Sequence, residues 1–115
     1  MAITIKSLAD GQLANSKGTI YKTPASTQTI IKRITLVNTN TATENVNLYF
    51  KASGGTSRRI IVQDVPLAAK ALLIMDDEVT MEAADILEGD TTTASKVDFV
   101  ISGGVINYLY LSDRG

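Results

Sequence analysis

The sequence predicts an all-β chain: a single antiparallel β-sandwich over residues 1–115, of jelly-roll or immunoglobulin-like type. Three observations carry this. Ile, Val, Leu and Ala make up much of the 44% hydrophobic content, with Thr abundant beside them. β-Branched side chains pack well on a pleated surface and lose χ1 freedom in a helix. Apolar and polar residues alternate with period two in stretch after stretch, the mark of half-buried strands. Clusters of turn-forming residues separate these stretches at short intervals, which suits seven to nine short strands in two layers.

In chain order, Ala2 to Lys6 reads as a short first strand. Leu13 to Lys22 is a weaker one, with a bend expected at Gly18. Gln28 to Asn38 is a long strand, with Ile30, Ile34 and Leu36 expected on one face and Ile31, Arg33 and Val37 on the other. Asn38 to Thr43 is a polar turn, since Asn and Thr side chains bond their own backbone.

Asn45 to Ala52 alternates most cleanly: Val46, Leu48, Phe50 and Ala52 face one way, Asn45, Asn47, Tyr49 and Lys51 the other. Ser53-Gly54-Gly55-Thr56-Ser57 is a hairpin turn. Arg58 to Asp64 returns, and Pro66, which has no N–H for the ladder, is expected to end that strand. Ala71 to Met75 is a short apolar run. Gly and Pro are missing between Leu67 and Glu88, which admits one helical turn at Ala68-Ala69-Lys70 or Glu82-Ala83-Ala84. Two closing strands are expected, Lys96 to Ser102 and Val105 to Leu111, with Gly103-Gly104 between them; Val97, Phe99 and Ile101 point inward in the first.

The chemistry is narrow. The chain has neither His nor Cys. This removes the commonest general base, the commonest zinc ligand, any thiolate and any disulfide. The many hydroxyls have no imidazole to activate them, so the expectation is no enzyme, with no catalytic residue and no cofactor. Asp76-Asp77-Glu78 and the set Asp85, Glu88, Asp90 lack the spacing of a calcium loop, so no metal is expected; Asp85 or Asp90 is expected to bond turn amides. With 11 basic and 12 acidic residues the chain has no net field to draw in a phosphate backbone, and Arg58-Arg59 is too small a patch to replace one. No nucleic-acid partner is expected. The N-terminus shows no signal-peptide pattern and no apolar run is long enough to span a membrane, so no membrane partner is expected either.

Binding is the remaining class. Tyr49, Tyr108 and Tyr110 are candidates for a sugar-stacking platform, although the chain has no Trp. The final stretch is apolar on both faces, with Ile106, Tyr108 and Tyr110 on one and Val105, Leu109 and Leu111 on the other. Such a strand is buried twice over or meets a partner. The candidate interface therefore comprises Ile3, Ile5, Val105, Ile106, Tyr108 and Tyr110.

Four stretches form a recognisable order: Tyr21-Lys22-Thr23-Pro24, Ile34-Thr35-Leu36-Val37-Asn38, Met81-Glu82-Ala83-Ala84-Asp85-Ile86-Leu87-Glu88-Gly89, and Val97-Asp98-Phe99-Val100-Ile101-Ser102-Gly103. This resembles a class of small virion proteins of tailed bacteriophages, over roughly Gly11 to Gly104. The class reads, in outline, as Tyr-x-x-Pro, Ile-x-Leu-x-Asn, Leu-x-Ala-Gly-Asp-x-Ile and Val-x-Phe/Tyr-x-Ile-Ser-Gly. Where the class has its turn glycine, this chain has Ala84.

The resemblance implies a β-sandwich that coats a capsid or joins a head or tail assembly, as a symmetric oligomer (a trimer favoured), with no active site to carry over. The expected role is a capsid decoration (cement) protein. Its partners would be the major capsid protein or other virion proteins, and its location the virion, assembled in the bacterial host cytoplasm. A head–tail, tail-tube or fibre component, or a carbohydrate- or host-surface-binding module, is the alternative.

Overall fold

The computed structural model describes residues 3–107, and every regular element among them is a strand. The strands are β1 (Thr4–Gln12), β2 (Gly18–Lys22), β3 (Thr27–Asn38), β4 (Glu44–Lys51), β5 (Ser57–Arg59), β6 (Val65–Leu67), β7 (Leu72–Met75), β8 (Val79–Met81), β9 (Ile86–Thr91) and β10 (Val97–Asn107). They form two five-stranded antiparallel sheets. Sheet A has the order β1-β10-β3-β7, with β8 pairing β3 beyond the end of β7; sheet B has the order β2-β9-β4-β5, with β6 pairing β4 beyond β5. The chain alternates between the sheets, so strands adjacent in sequence mostly face each other across the core instead of pairing.

The period-two pattern explains the packing. Ile34, Leu36, Val97, Phe99 and Ile101 from sheet A meet Val46, Leu48 and Leu87 from sheet B, all buried. Leu67, Met75 and Met81 close the core along the β5–β8 side, and Leu13 plugs it from the link after β1. Leu13 is held there by its N–H to the Val97 carbonyl and its own carbonyl to the Ser95 N–H.

Several sequence expectations need correction. The faces of β3 do not run as simple alternation predicts. Arg33 pairs with Ser102 and Ile31 with Gly103, so Lys32 has no opposite partner and forms a β-bulge. The extra residue reverses the parity: Thr29 and Ile31 point into the core together with Ile34 and Leu36, while Ile30 points out.

The expected break at Gly103-Gly104 is absent: β10 runs straight through from Val97 to Asn107 with the bulge at that point, and Tyr108 to Leu111 of the second expected strand lie outside the described residues. Of the expected return strand Arg58–Asp64 only Arg58 and Arg59 pair, in β5, and β6 begins after Asp64. Ile60 and Ile61 are half-buried there, and Val62 is exposed. Pro66 does not end a strand but sits in the middle of β6, which pairs only with β4, so the missing donor falls on an edge. The first strand is longer than expected and the second starts at Gly18.

Neither admitted helical turn forms. Ala71 N–H bonds the Ala68 carbonyl, and Asp85 N–H bonds the Glu82 carbonyl, each closing a four-residue β-turn. The third residue of each, Lys70 (φ 61°) and Ala84 (φ 69°), is left-handed, as a type II turn requires.

The resembling motifs have structural jobs. Asn38 is fully buried, and its amide donates to the carbonyls of Ala42, Leu67 and Ala68 while its oxygen accepts the Asn40 N–H. It ties the β3–β4 turn to the β6–β7 turn. Asp85 accepts the N–H groups of Ser53 (2.9 Å) and Glu82 (2.8 Å), the turn-bonding role expected of it. The Glu82–Asp85 turn also docks on Thr23 through two backbone bonds, joining the third motif to the first.

Candidate interaction surface

The outward faces of the two sheets differ in chemistry. On sheet B the outward residues of β4, β5 and β9 lock into a polar network. Asp90 accepts the Asn47 amide (2.8 Å) through one oxygen and the Tyr49 hydroxyl (2.9 Å) through the other. The Asn47 amide also donates to Asp64 (3.0 Å), and its oxygen accepts the Arg59 guanidinium (2.7 Å) and the Asp64 N–H (2.9 Å). Lys17 and Arg59 lie over the Tyr49 ring, about 5 Å from its centre, as cation–π partners. Burial and donation to Asp90 push the Tyr49 hydroxyl above its ordinary pKa. Tyr49 is buried beneath these groups and offers no open ring to a sugar. Arg59 joins the same network, and both it and Arg58 are exposed.

Beside it lies a second anchor. Glu44 is fully buried and accepts from the Asn40 amide, the Thr91 hydroxyl and the Thr93 N–H. Burial alone raises a carboxyl pKa; these hydrogen bonds outweigh it and hold Glu44 below its ordinary value. The carboxylate closes the β9–β10 connection onto the start of β4. No buried side-chain polar atom among the described residues lacks a partner.

Sheet A turns an apolar face outward instead. Toward one end, Ile3 and Ile5 on the β1 side, Ile30 on β3 and Gly104 on β10 line a groove of about 310 Å³, and Ile106 lines a smaller one of about 170 Å³ with Ile3, Ile30 and Gly104. Ile5 is 90% exposed, more than any other large apolar residue described. Toward the other end, Val100 pairs with Thr35 and Thr35 with Ile74, and Leu72 stands opposite Val37. Val100, Ile74 and Leu72 are about half exposed. Arg33, Ser102 and the Lys32–Glu78 ion pair separate the two apolar areas. Exposed ion pairs stabilise little, so this belt is a polar divider and not a clamp.

The structure brings together three of the predicted interface residues, Ile3, Ile5 and Ile106. Val105 is set apart from them: it pairs with Thr4 and Thr29 and points to the inner side, lining a cleft with Leu8 and Tyr21. Tyr108 and Tyr110 lie outside the described residues. Sequence reasoning missed Val100, Ile74 and Leu72. The signal was present in part: Val100 is an apolar residue at the outward position between inward Phe99 and Ile101.

Among the described residues no group of three or more acidic side chains is placed to hold a metal ion, and no helix is long and apolar enough to cross a membrane.

No protein-family model and no curated relative matches the chain. Solved structures with a similar fold include a chain of the acid-stable capsid of Helicobacter pylori bacteriophage KHP30, with a TM-score of 0.53 and 11% identity over 91% of this chain and 89% of that one. Weaker likenesses include the Drosophila NLP core (TM-score 0.49, 15% identity, 89% and 100% covered) and a protein of the Bacillus endospore appendages (TM-score 0.49, 18% identity, 93% and 91% covered). The chain thus shares its two-sheet antiparallel fold with a chain from a phage capsid.

Proposed function

We propose that this protein is a structural component of a tailed-phage virion, and specifically a decoration protein that binds the capsid shell and stabilises it. The observation that carries the reading is the apolar outer face of sheet A on a fold shared with a phage-capsid chain. Strand order supports it. Counting β5–β6 and β7–β8 as two interrupted strands leaves eight, arranged as 1-8-3-6 and 2-7-4-5, the jelly-roll order common in viral shells.

The mechanism is adhesion. Each copy presses apolar side chains such as Ile5, Ile74 and Val100 against a neighbouring virion protein, and release of water from that surface drives binding. Copies that associate with one another engage several equivalent sites at once, so weak contacts add up to tight attachment. No catalytic step belongs to this reading.

Co-sedimentation with expanded empty capsids tests it. The protein pellets with the shells in a saturable manner under the proposal. A protein that stays in the supernatant at every concentration, yet pellets with purified tails, overturns the decoration role in favour of a tail component.

A further inference from the structure

The two lateral edges of the sandwich are built differently. On one side both sheets end in fragments, β5 with β6 and β7 with β8, each of three or four residues, with Pro66 among them. Short, broken, proline-bearing edges resist pairing with another chain. On the other side sheet A ends in β1, nine residues long, exposed or half-exposed throughout, and among the described residues hydrogen-bonded only to β10.

Along that side the sheets part between β1 and β2, leaving two clefts of about 360 Å³ each. Leu8, Tyr21, Pro24 and Val105 line one; Gly11, Gly18, Gly89 and Phe99 line the other. Small residues stand where core side chains fill the opposite edge. The seam has a free backbone ladder and room beside it for side chains.

The sequence after β10 offers a segment that suits this edge. β10 runs antiparallel to β1, with Val105 opposite Thr4, and its last residue Asn107 lines the first cleft. Tyr108-Leu109-Tyr110-Leu111 follows, four residues of strong strand preference. Four is also the length of Thr4–Ser7, the stretch of β1 before its bulge at Leu8. The chain's own β1 edge is a poor target. Reaching it means passing around the start of β1 across two strand spacings, about 9.5 Å. That crossing uses about three residues at ~3.3 Å each, which consumes the apolar run before it can pair.

We propose that Tyr108–Leu111 of one copy adds as a strand to the Thr4–Ser7 edge of a second copy and seats an aromatic ring in the cleft beside Tyr21 and Val105. The contact is head-to-tail, so it closes into a ring or propagates, according to the rotation between copies. It rests on the reading of this chain as a repeated assembly subunit and names the contact that joins the copies.

The absence of Cys makes the test clean. Either strand direction sets residue 109 or 110 against Ile5. Ile5→Cys is mixed with Leu109→Cys or with Tyr110→Cys, each otherwise wild type, under mild oxidation. A disulfide-linked heterodimer on a non-reducing gel is the expected result. A double variant carrying both changes gives a ladder of multimers, and a chain cut after Asn107 is monomeric by native mass spectrometry. Only intramolecular linkage in the double variant, no linkage at all, or an unchanged oligomer after truncation overturns the proposal. Capsid co-sedimentation of the wild-type chain and of the chain cut after Asn107, both with Ile5 intact, separates the two readings: wild-type multimers that never pellet sink the decoration role alone, and a wild-type monomer that pellets sinks the strand exchange alone.

Discussion

Gly103 lies against the carbonyl oxygen of Ile30: a Cβ at position 103 would stand 1.9 Å from that oxygen and 3.2 Å from the Cα of Ile31. The contact is backbone against backbone, at the bulge where Lys32 is squeezed out of the β3–β10 ladder. No rotamer change relieves it. The glycine that closes the Val-x-Phe-x-Ile-Ser-Gly motif is therefore a requirement of the sheet.

Gly103→Ala is expected to destabilise the fold by about 3 kcal/mol, the range in which overpacking forces the backbone to shift. Thermal unfolding followed by circular dichroism checks this, with a fall in Tm on the order of 10 °C. A fall of only a degree or two would mean that the bulge adapts freely.

Ala84 holds a left-handed conformation, φ 69°, at the third position of the turn closed by Asp85 N–H and the Glu82 carbonyl. A Cβ there costs roughly 1–2 kcal/mol, and replacing Ala by Gly returns about 0.4–1 kcal/mol of that through unfolded-state entropy. Ala84→Gly is expected to stabilise by about 0.5 kcal/mol. Ala83→Gly, at a residue without positive φ, loses stability instead. Urea midpoints of the two variants should move in opposite directions.

Glu44 gives the fold a pH dependence of known sign. Burial works against its charge, but bonds from Asn40, Thr93 and Thr91 hold its folded-state pKa below the ordinary 4.5. A depressed carboxyl stabilises fully above its unfolded pKa, and the contribution fades as pH falls through the folded value. Glu44→Gln is expected to cost about 1–3 kcal/mol at neutral pH, because the amide oxygen keeps the Thr91 and Thr93 donors while its NH2 faces the Asn40 amide donor. The penalty relative to wild type should shrink in acid, below pH 4.5. Denaturant titrations at neutral and acid pH check this; a pH-independent difference would refute the assignment.

Ile74→Lys with Val100→Lys adds two charges to the outer face of sheet A, at positions about half exposed. Stability should change by less than about 1 kcal/mol, while capsid co-sedimentation should weaken at least tenfold, about 1.4 kcal/mol of binding. Wild-type binding by this variant would place the contact elsewhere.

Much of the fold was legible because alternation is a local signal. Val46 and Leu48 in β4 and Val97, Phe99 and Ile101 in β10 all point inward as their spacing predicts. The errors cluster where tertiary contacts interrupt the period. Lys32 breaks the parity of β3 because the chain must bend past Gly103. The return strand after the Gly54-Gly55 turn stops at Arg59, the last residue of β5 to pair with β4, whose side chain serves Asn47 and Tyr49. Of the candidate surface, the apolar ends of the chain could be read; Val100 and Ile74 could not be joined, because 25 residues of sequence lie between them and only the pairing of each with Thr35 brings them together.

By itself, the sequence determined that this chain folds as two antiparallel sheets, and that, having neither His nor Cys, it has a narrow chemical repertoire. Both follow from residue type and period, which need no partner elsewhere in the chain. Only the tertiary structure decided which face of each sheet meets water. Tyr49 and Asn47 look like solvent-facing residues in the sequence, yet they are buried under Arg59, Lys17 and Asp90. Ile30 is expected from its spacing to share the face of Ile34 and Leu36 and instead points out. The reason is physical: burial belongs to the pair of surfaces that meet, and a strand pattern specifies one surface only.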